Sequence, residues 1–152
     1  MTVVSTDRIE KHVTLRAPRS RVWRALADSD QFGQWFKVRL AGPFVEGARV
    51  RGRITHPGYE HVTMEVLVER IDPERYFAYR WHPYAIDPAV DYSAEPMTLV
   101  EFTLEETAGG TNLTIVESGF DRIPAARRAE AFRMNDNGWT GQIKNIERHV
   151  SG

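Results

Sequence analysis

Residues 97–118 read MTLVEFTLEETAGGTNLTIVES and contain the pattern that decides the fold. Apolar and polar residues alternate on both sides of Gly109-Gly110, which is typical of two half-buried antiparallel strands joined by a tight turn. Five apolar residues form the inward face of this predicted hairpin: Val100, Phe102, Leu104, Leu113 and Ile115. Glu117 continues the same face near the end of the second strand, so a carboxylate is expected where a core residue would ordinarily lie.

The same alternation of apolar and polar residues continues outward from this hairpin over most of residues 47–119. It predicts further strands over residues 8–17, 49–54, 62–68 and 76–82. Short connections between these strands favour antiparallel neighbours. The one long connection, residues 83–96, is either a solvated loop or a lid.

Helical spacing occurs in two places. Pro18 suits the first turn of a helix that ends near residues 28–30, and a second short helix is predicted over residues 31–36. A long C-terminal helix is predicted over residues 124–150, with a kink or break at the weak helix formers of residues 135–138. The expected fold is therefore α+β: a curved antiparallel sheet of about six to seven strands, wrapped around the C-terminal helix, with two short helices after the first strand.

Composition limits the functional classes. The 152 residues, 41% hydrophobic and 27% charged, predict a single domain over residues 1–152 with an ordered core of about residues 8–150. A net charge of -1 provides no field to hold nucleic acid, and the absence of cysteine excludes thiolate chemistry. Without a long apolar segment, no membrane insertion is expected, and a cytoplasmic protein is predicted. The sequence indicates no cofactor and no metal site.

The C-terminal helix carries a stripe that is apolar at its ends and polar in its middle. From Trp139, steps of three and four reach Ile146 and Val150 in one direction and Asn135 in the other, with Gln142 at the margin. Asn135 and Gln142 could bond to neighbouring backbone or a trapped water, or could face an internal cavity.

A cavity between this helix and the sheet would hold a largely apolar or aromatic ligand. Its candidate lining combines rings on inward faces with a few polar groups. Ten residues are predicted to line it: Trp35, Phe36, Met64, Tyr79, Trp81, Phe102, Glu117, Asn135, Trp139 and Gln142.

Three roles for Glu117 remain open at this point. It could form a salt bridge at the rim of the sheet with an arginine, for which Arg51, Arg53 and Arg80 are candidates. It could instead orient a bound ligand, or act as a general acid or base beside Tyr79.

Several motifs resemble a known family. Residues 17–26, APRSRVWRAL, followed by Trp35-Phe36, resemble the N-terminal signature of the SRPBCC superfamily (START, polyketide cyclase and birch-pollen-allergen-like proteins). Residues 117–120, ESGF, and residues 135–139, NDNGW, resemble more narrowly the homologues of the heat-shock protein 90 ATPase activator, C-terminal domain. The resemblance covers about residues 8–150.

The resemblance implies the helix-grip fold, which agrees with the layout expected from the pattern. Members of the superfamily include carriers of apolar ligands, aromatase and cyclase enzymes, and a eukaryotic co-chaperone that has an additional N-terminal domain. They share no catalytic residue set, so no catalytic residue is assigned here. The leading hypothesis is a binding protein for a small apolar or aromatic ligand. The alternatives are a cyclase- or hydrolase-type enzyme using Glu117, or a co-chaperone-like stimulator of the heat-shock protein 90 ATPase with the chaperone as partner.

Overall fold

The computed structural model describes residues 7–151. Seven strands form one sheet, whose neighbours all run antiparallel in the order β1-β7-β6-β5-β4-β3-β2. The strands are β1 (Arg8–Leu15), β2 (Val38–Leu40), β3 (Arg49–Ile54), β4 (Thr63–Asp72), β5 (Tyr76–Trp81), β6 (Thr98–Thr107) and β7 (Gly110–Ser118). The helices are α1 (Arg19–Ala27), α2 (Ser29–Phe36) and α3 (Ala125–Ser151), and a 3₁₀ turn covers Phe120–Arg122. The α+β helix-grip fold expected from the sequence is confirmed.

The register of the central hairpin explains why the inward face is continuous. Phe102 pairs with Ile115 and Leu104 with Leu113, so both strands turn the same apolar face toward α3. Val100 pairs with Glu117 one step further along, which places the carboxylate on that inward face. Alternation along the strand is therefore sufficient to bury Glu117, and the sheet needs no bulge at this point.

Two short helices close one end of the sheet. Asp28 begins α2, because its carboxylate accepts hydrogen bonds from the backbone N–H groups of Asp30 and Gln31 at 2.9 and 3.3 Å. The Trp35 indole donates to the carbonyl of Ala25 at 2.7 Å and fixes α2 against α1. Trp35 thus belongs to the core, because its polar atom is used within the helical pair.

Two details differ from the sequence-based expectation. Strand β2 is only three residues long and was not located, since three residues give too short a pattern to show alternation. The expected kink or break at residues 135–138 was wrong, because α3 is one helix of 27 residues. Contacts with the sheet stabilise the middle of α3: Asp136 forms a salt bridge with Lys11 at 2.8 Å, and the Trp139 indole donates a hydrogen bond to Glu117 at 2.8 Å. Such contacts outweigh the cost of one glycine, about 1 kcal/mol.

Candidate functional site

The carboxylate of Glu117 lies at the centre of a buried polar cluster. The side chain is fully buried and accepts hydrogen bonds from four neutral side chains. Oε2 accepts from Trp81 Nε1 at 2.7 Å and from Thr98 Oγ1 at 2.6 Å. Oε1 accepts from Trp139 Nε1 at 2.8 Å and from Asn135 Nδ2 at 2.9 Å. The Asn135 Nδ2 group also lies 3.2 Å from Oε2. Each carboxylate oxygen therefore has at least two donors, which is how a buried carboxylate is stabilised without a cation.

Three separate elements bring these donors together. Trp81 ends β5 and Thr98 begins β6, directly across the β5–β6 register from each other. Asn135 and Trp139 are four residues apart on α3 and so lie on one face of the helix. The cluster therefore joins the sheet to the long helix.

None of the candidate arginines pairs with Glu117. Arg51 lies 3.5 Å from Glu65, and Arg80 donates to Glu69 at 3.0 Å. Arg53 is exposed on the outer face of β3. The rim salt bridge considered from the sequence does not occur, because Arg80 pairs with Glu69 and Arg51, although it lines the cavity described below, pairs with Glu65.

The electrostatics of the cluster are set by burial. Burial raises the pKa of the Glu117 carboxyl above its ordinary value, and the hydrogen bonds from Thr98, Trp81, Trp139 and Asn135 oppose that rise by stabilising the carboxylate. Burial, followed by the nearby charge of Glu117, also raises the pKa of Tyr79 well above its usual range. The Tyr79 hydroxyl is buried without a hydrogen-bond partner among the described residues. Tyr79 is therefore a neutral phenol in the core.

A cavity of about 580 Å³ opens beside this cluster. Its walls come from α3, from strands β3 and β4, from Phe36 at the end of α2, and from the loop that joins β5 to β6. This volume lies within the range of small-molecule sites. Trp81 and Asn135 belong both to the cavity wall and to the donors around Glu117, so the carboxylate lies directly behind the wall.

The structure separates the ten candidate residues into two groups of five. The cavity is lined by Phe36, Met64, Trp81, Asn135 and Gln142. Five others lie behind that lining, each less than 4% exposed: Trp35, Tyr79, Phe102, Glu117 and Trp139. Inward direction alone could not distinguish the two groups, because each contains residues from the inward side of the sheet and from the helices.

Several lining residues were missed because they follow no secondary-structure period. The loop of residues 82–97 contributes Tyr84, Ile86 and Tyr92, and the turn between β3 and β4 contributes Tyr59. The available signal is the pair of tyrosines, Tyr84 and Tyr92, in the one long connection of the sheet, for which the sequence predicts either a solvated loop or a lid. Met134, next to Asn135 on α3, also lines the cavity.

Arg127 attaches this loop to α3. Its guanidinium donates to the carboxylate of Glu95 at 2.8 Å and to the carbonyl of Pro83 at 2.8 Å. It also lies 4.8 Å from the ring centre of Tyr92, in cation–π contact. Both charged side chains are about four-fifths buried, so one arginine fixes both ends of the loop and the tyrosine that lines the cavity.

The described residues contain no group of three or more histidine, cysteine, aspartate or glutamate side chains placed to hold a metal ion. Within residues 7–151, no helix combines the length and apolar character needed to cross a membrane.

Comparison with known proteins places the chain in a family. Residues 16–151 match the family model described as Activator of Hsp90 ATPase homolog 1-like protein. No match was found among proteins with curated descriptions.

Three solved structures show the same fold. Protein MLL2253 from Mesorhizobium loti is 24% identical with a TM-score of 0.74, over 95% of this chain and 96% of that chain. The Aha1 dimer from Colwellia psychrerythraea is 15% identical with a TM-score of 0.70, over 94% and 95%. DynU16, a protein in the dynemicin biosynthetic locus, is 24% identical with a TM-score of 0.72, over 95% of this chain and 47% of that chain.

Proposed function

This chain belongs to the family of activator of Hsp90 ATPase homolog 1-like proteins, and from that premise and the geometry of the site we propose that it binds a small, largely apolar or aromatic ligand. The binding site is the cavity of about 580 Å³ enclosed by α3, β3, β4 and the loop of residues 82–97. The observation that carries the proposal is the composition of its wall. About half of the lining residues are aromatic or aliphatic, and the polar remainder includes the charged side chains of Arg51, Glu65 and Asp91. A wall with a large apolar part and polar groups that fix orientation is typical of small-molecule sites.

A glycine in the wall provides a position at which this proposal can be tested. Gly138 lies in the middle of α3, where alanine would stabilise the helix by about 1 kcal/mol. A Cβ atom built there would meet no atom within 4 Å, so packing does not require glycine. Gly138 lines the cavity, and a ligand occupying that space gives a reason for the missing side chain.

The enzyme alternative receives less support from the geometry. Glu117 is fully buried, its oxygens are occupied by four donors, and it does not line the cavity. A general acid or base must come within hydrogen-bonding distance of the proton that it transfers. Stimulation of the heat-shock protein 90 ATPase is a second candidate, favoured by the family match, and ATPase assays with and without this protein would test it.

Gly138 and Gly141 allow the proposed binding site to be tested with two matched variants. Gly141 also lies in the middle of α3 and also meets no atom within 4 Å of its built Cβ, but it does not line the cavity. Gly138→Leu and Gly141→Leu should therefore gain similar helix stability, while only Gly138→Leu fills the cavity. The probe is N-phenylnaphthylamine, an apolar aromatic compound whose fluorescence rises on transfer from water.

We expect one probe to bind per wild-type chain, and we expect Gly141→Leu to retain that binding. Gly138→Leu should lose at least about tenfold in affinity, since its side chain and the ring would overlap. Thermal unfolding of both variants verifies that they fold. Absence of probe binding to the wild type, or equal affinities for the two variants, would contradict the proposed site.

A further inference from the structure

Charge is distributed unevenly along this chain, although its net charge is only -1. Residues 37–54, which include β2, β3 and the turn between them, contain five basic side chains and one carboxylate. The carboxylate belongs to Glu46, and the basic residues are Lys37, Arg39, Arg49, Arg51 and Arg53. This edge of the sheet is therefore a positively charged region of an almost neutral protein.

Alternation places three of these arginines on one side of β3. Arg49, Arg51 and Arg53 occupy every second position and are exposed, whereas the residues between them are buried. Arg39 on β2 is in register directly opposite Arg53. Residues that oppose each other in an antiparallel pair point to the same side of the sheet. The four guanidinium groups thus form one surface, which we call the basic face.

The carboxylates of the described residues only partly neutralise the basic face. Arg49 and Arg51 share the carboxylate of Glu65, at 3.7 and 3.5 Å. Arg39 and Arg53 form no salt bridge with any described residue. Like charges directly opposite each other destabilise a sheet. This pair therefore costs stability unless an external anion lies against it.

An exposed apolar side chain lies next to the basic face. Val45 is 52% exposed, more than any other large hydrophobic side chain in the described part of the chain. Its carbonyl closes the turn directly before β3, so it lies close to Arg49, the first arginine of that strand. The neighbouring Glu46 carboxylate accepts a hydrogen bond from the backbone N–H of Ile71 at 2.7 Å. The turn thus presents an apolar group to the solvent beside the cationic groups.

We propose that the basic face docks this protein reversibly on an anionic lipid bilayer. Its guanidinium groups bind lipid phosphates, and Val45 enters the interface between headgroups and acyl chains. Docking goes beyond the proposed function and does not depend on it. Arg51 lies where the basic face meets the cavity, whereas Arg39, Arg53 and Val45 do not line the cavity. These three positions can therefore be changed without altering the cavity wall.

Two observations favour a bilayer over a single soluble anion. One phosphate group would occupy only the pair formed by Arg39 and Arg53, yet the basic face continues along β3 to Arg49. That extension is about 13 Å at the rise of a strand, which matches a surface that bears many phosphates. The exposed valine gains free energy when it leaves water for the bilayer interface, and it gains nothing from a soluble anion.

Cosedimentation with lipid vesicles tests the proposal on the full chain. Neutral vesicles consist of phosphatidylcholine, and anionic vesicles contain equal parts of phosphatidylcholine and phosphatidylglycerol. At low salt we expect binding to the anionic vesicles only. Binding should weaken as the salt concentration rises, because ions screen the attraction between the basic face and the lipids.

Two double variants separate the basic face from the effect of net charge. Each basic side chain near an anionic surface contributes about fivefold to binding, so Arg39→Gln/Arg53→Gln should lower the partition coefficient at least about tenfold. Arg122→Gln/Arg133→Gln removes the same charge from two exposed arginines outside the basic face. This control should bind nearly as tightly as the wild type. Thermal unfolding verifies that both variants fold.

A second pair of variants tests the apolar contribution. Val45→Ser should lower the partition coefficient about threefold, because the lost apolar area no longer enters the interface. Val90→Ser changes a valine that is 44% exposed in the loop of residues 82–97, and it should leave the partition coefficient unchanged.

Several outcomes would overturn the proposal. One is equal binding to neutral and anionic vesicles, or binding to neither. Equal losses in the two arginine variants would show an effect of net charge alone, and equal losses in the two valine variants would remove the role of Val45. If a soluble polyglutamate peptide binds and anionic vesicles do not, the basic face fits an acidic protein instead. N-phenylnaphthylamine binding without vesicles reports on the cavity, so failure of docking is distinguished from failure of the proposed function.

Discussion

Replacement of Glu117 by glutamine tests how the buried cluster stabilises the fold. The substitution keeps the size and shape of the side chain but replaces one accepting oxygen with a donating NH₂ group. All four contacts of the carboxylate are with donors, and two of these are indole N–H groups, which cannot reverse their role.

The cost follows from the two orientations of the new amide. If its NH₂ group faces Trp81 and Thr98, the Thr98 hydroxyl can rotate to accept, but the Trp81 indole loses its partner. If it faces Trp139 and Asn135, the asparagine amide can turn over, but the Trp139 indole loses its partner. Trp139 is 2% exposed whereas Trp81 is partly exposed to the cavity, so the first orientation costs less.

One unpaired buried donor costs about 1 to 3 kcal/mol. Removal of a buried charge offsets part of this loss, because the carboxylate no longer has to be desolvated. We therefore expect Glu117→Gln to lower the free energy of unfolding by about 1 to 2 kcal/mol.

Urea unfolding monitored by circular dichroism at neutral pH gives the measurement. Glu105→Gln, an exposed change on β6, is the matched control and should stay within about 0.5 kcal/mol of the wild type. A Glu117→Gln protein as stable as the wild type, with an unchanged dependence on urea, would refute the reasoning that the indoles require a carboxylate.

Three further expectations follow from the same contacts. Because burial raises the folded-state pKa of Glu117 above 4.5, the native state binds this proton more tightly than the unfolded state. The free energy of unfolding should therefore fall as pH rises from about 4.5 through the raised pKa. If unfolding of Glu117→Gln, measured over the same pH range, shows the same decrease, Glu117 is not the group responsible. Arg127→Met should speed hydrogen exchange across the loop of residues 82–97. It should also lower stability by about 1 to 3 kcal/mol, because the mostly buried Glu95 carboxylate loses its cation. Unchanged exchange would show that the loop is held by other contacts. Gly52→Ala places a Cβ 2.5 Å from a backbone oxygen of β2 and should lower the free energy of unfolding by about 1 to 3 kcal/mol, measured by thermal unfolding. Gly109→Ala, which has open space around it, is the control and should leave that free energy almost unchanged.

The sequence predicted most of the architecture because the apolar pattern depends on local periodicity. Alternation placed Glu117 and Trp81 on inward faces, and the helical stripe placed Asn135 and Trp139 together, but Thr98 was not among the predicted site residues. The pattern also did not show which of these groups bond to one another. Whether Glu117 meets an arginine or an indole depends on register between strands that are far apart in sequence.

The lining of the cavity was harder to predict for a different physical reason. An inward side chain reaches either the packed core or the cavity, depending on how far α3 stands from the sheet at that point. Tyr79 and Trp81 lie on the same inward side of β5, yet only Trp81, near the end of the strand, reaches the cavity. The loop residues follow no period at all, and Arg127 positions them from a helix more than 30 residues away in the chain.

The polar cluster also accounts for the persistence of a cavity beside so many apolar groups. An apolar wall gains free energy by closing on itself, so a helix held only by apolar contacts would settle onto the sheet. Asn135 and Trp139 prevent that movement, because their bonds to Glu117 fix one face of α3 at hydrogen-bonding distance from β7. Gly138, between them in sequence, has no side chain to fill the adjacent space. A buried carboxylate that fixes the helix and a glycine that leaves room beside it are thus two parts of one arrangement, and removal of the first should shrink the space that the second provides.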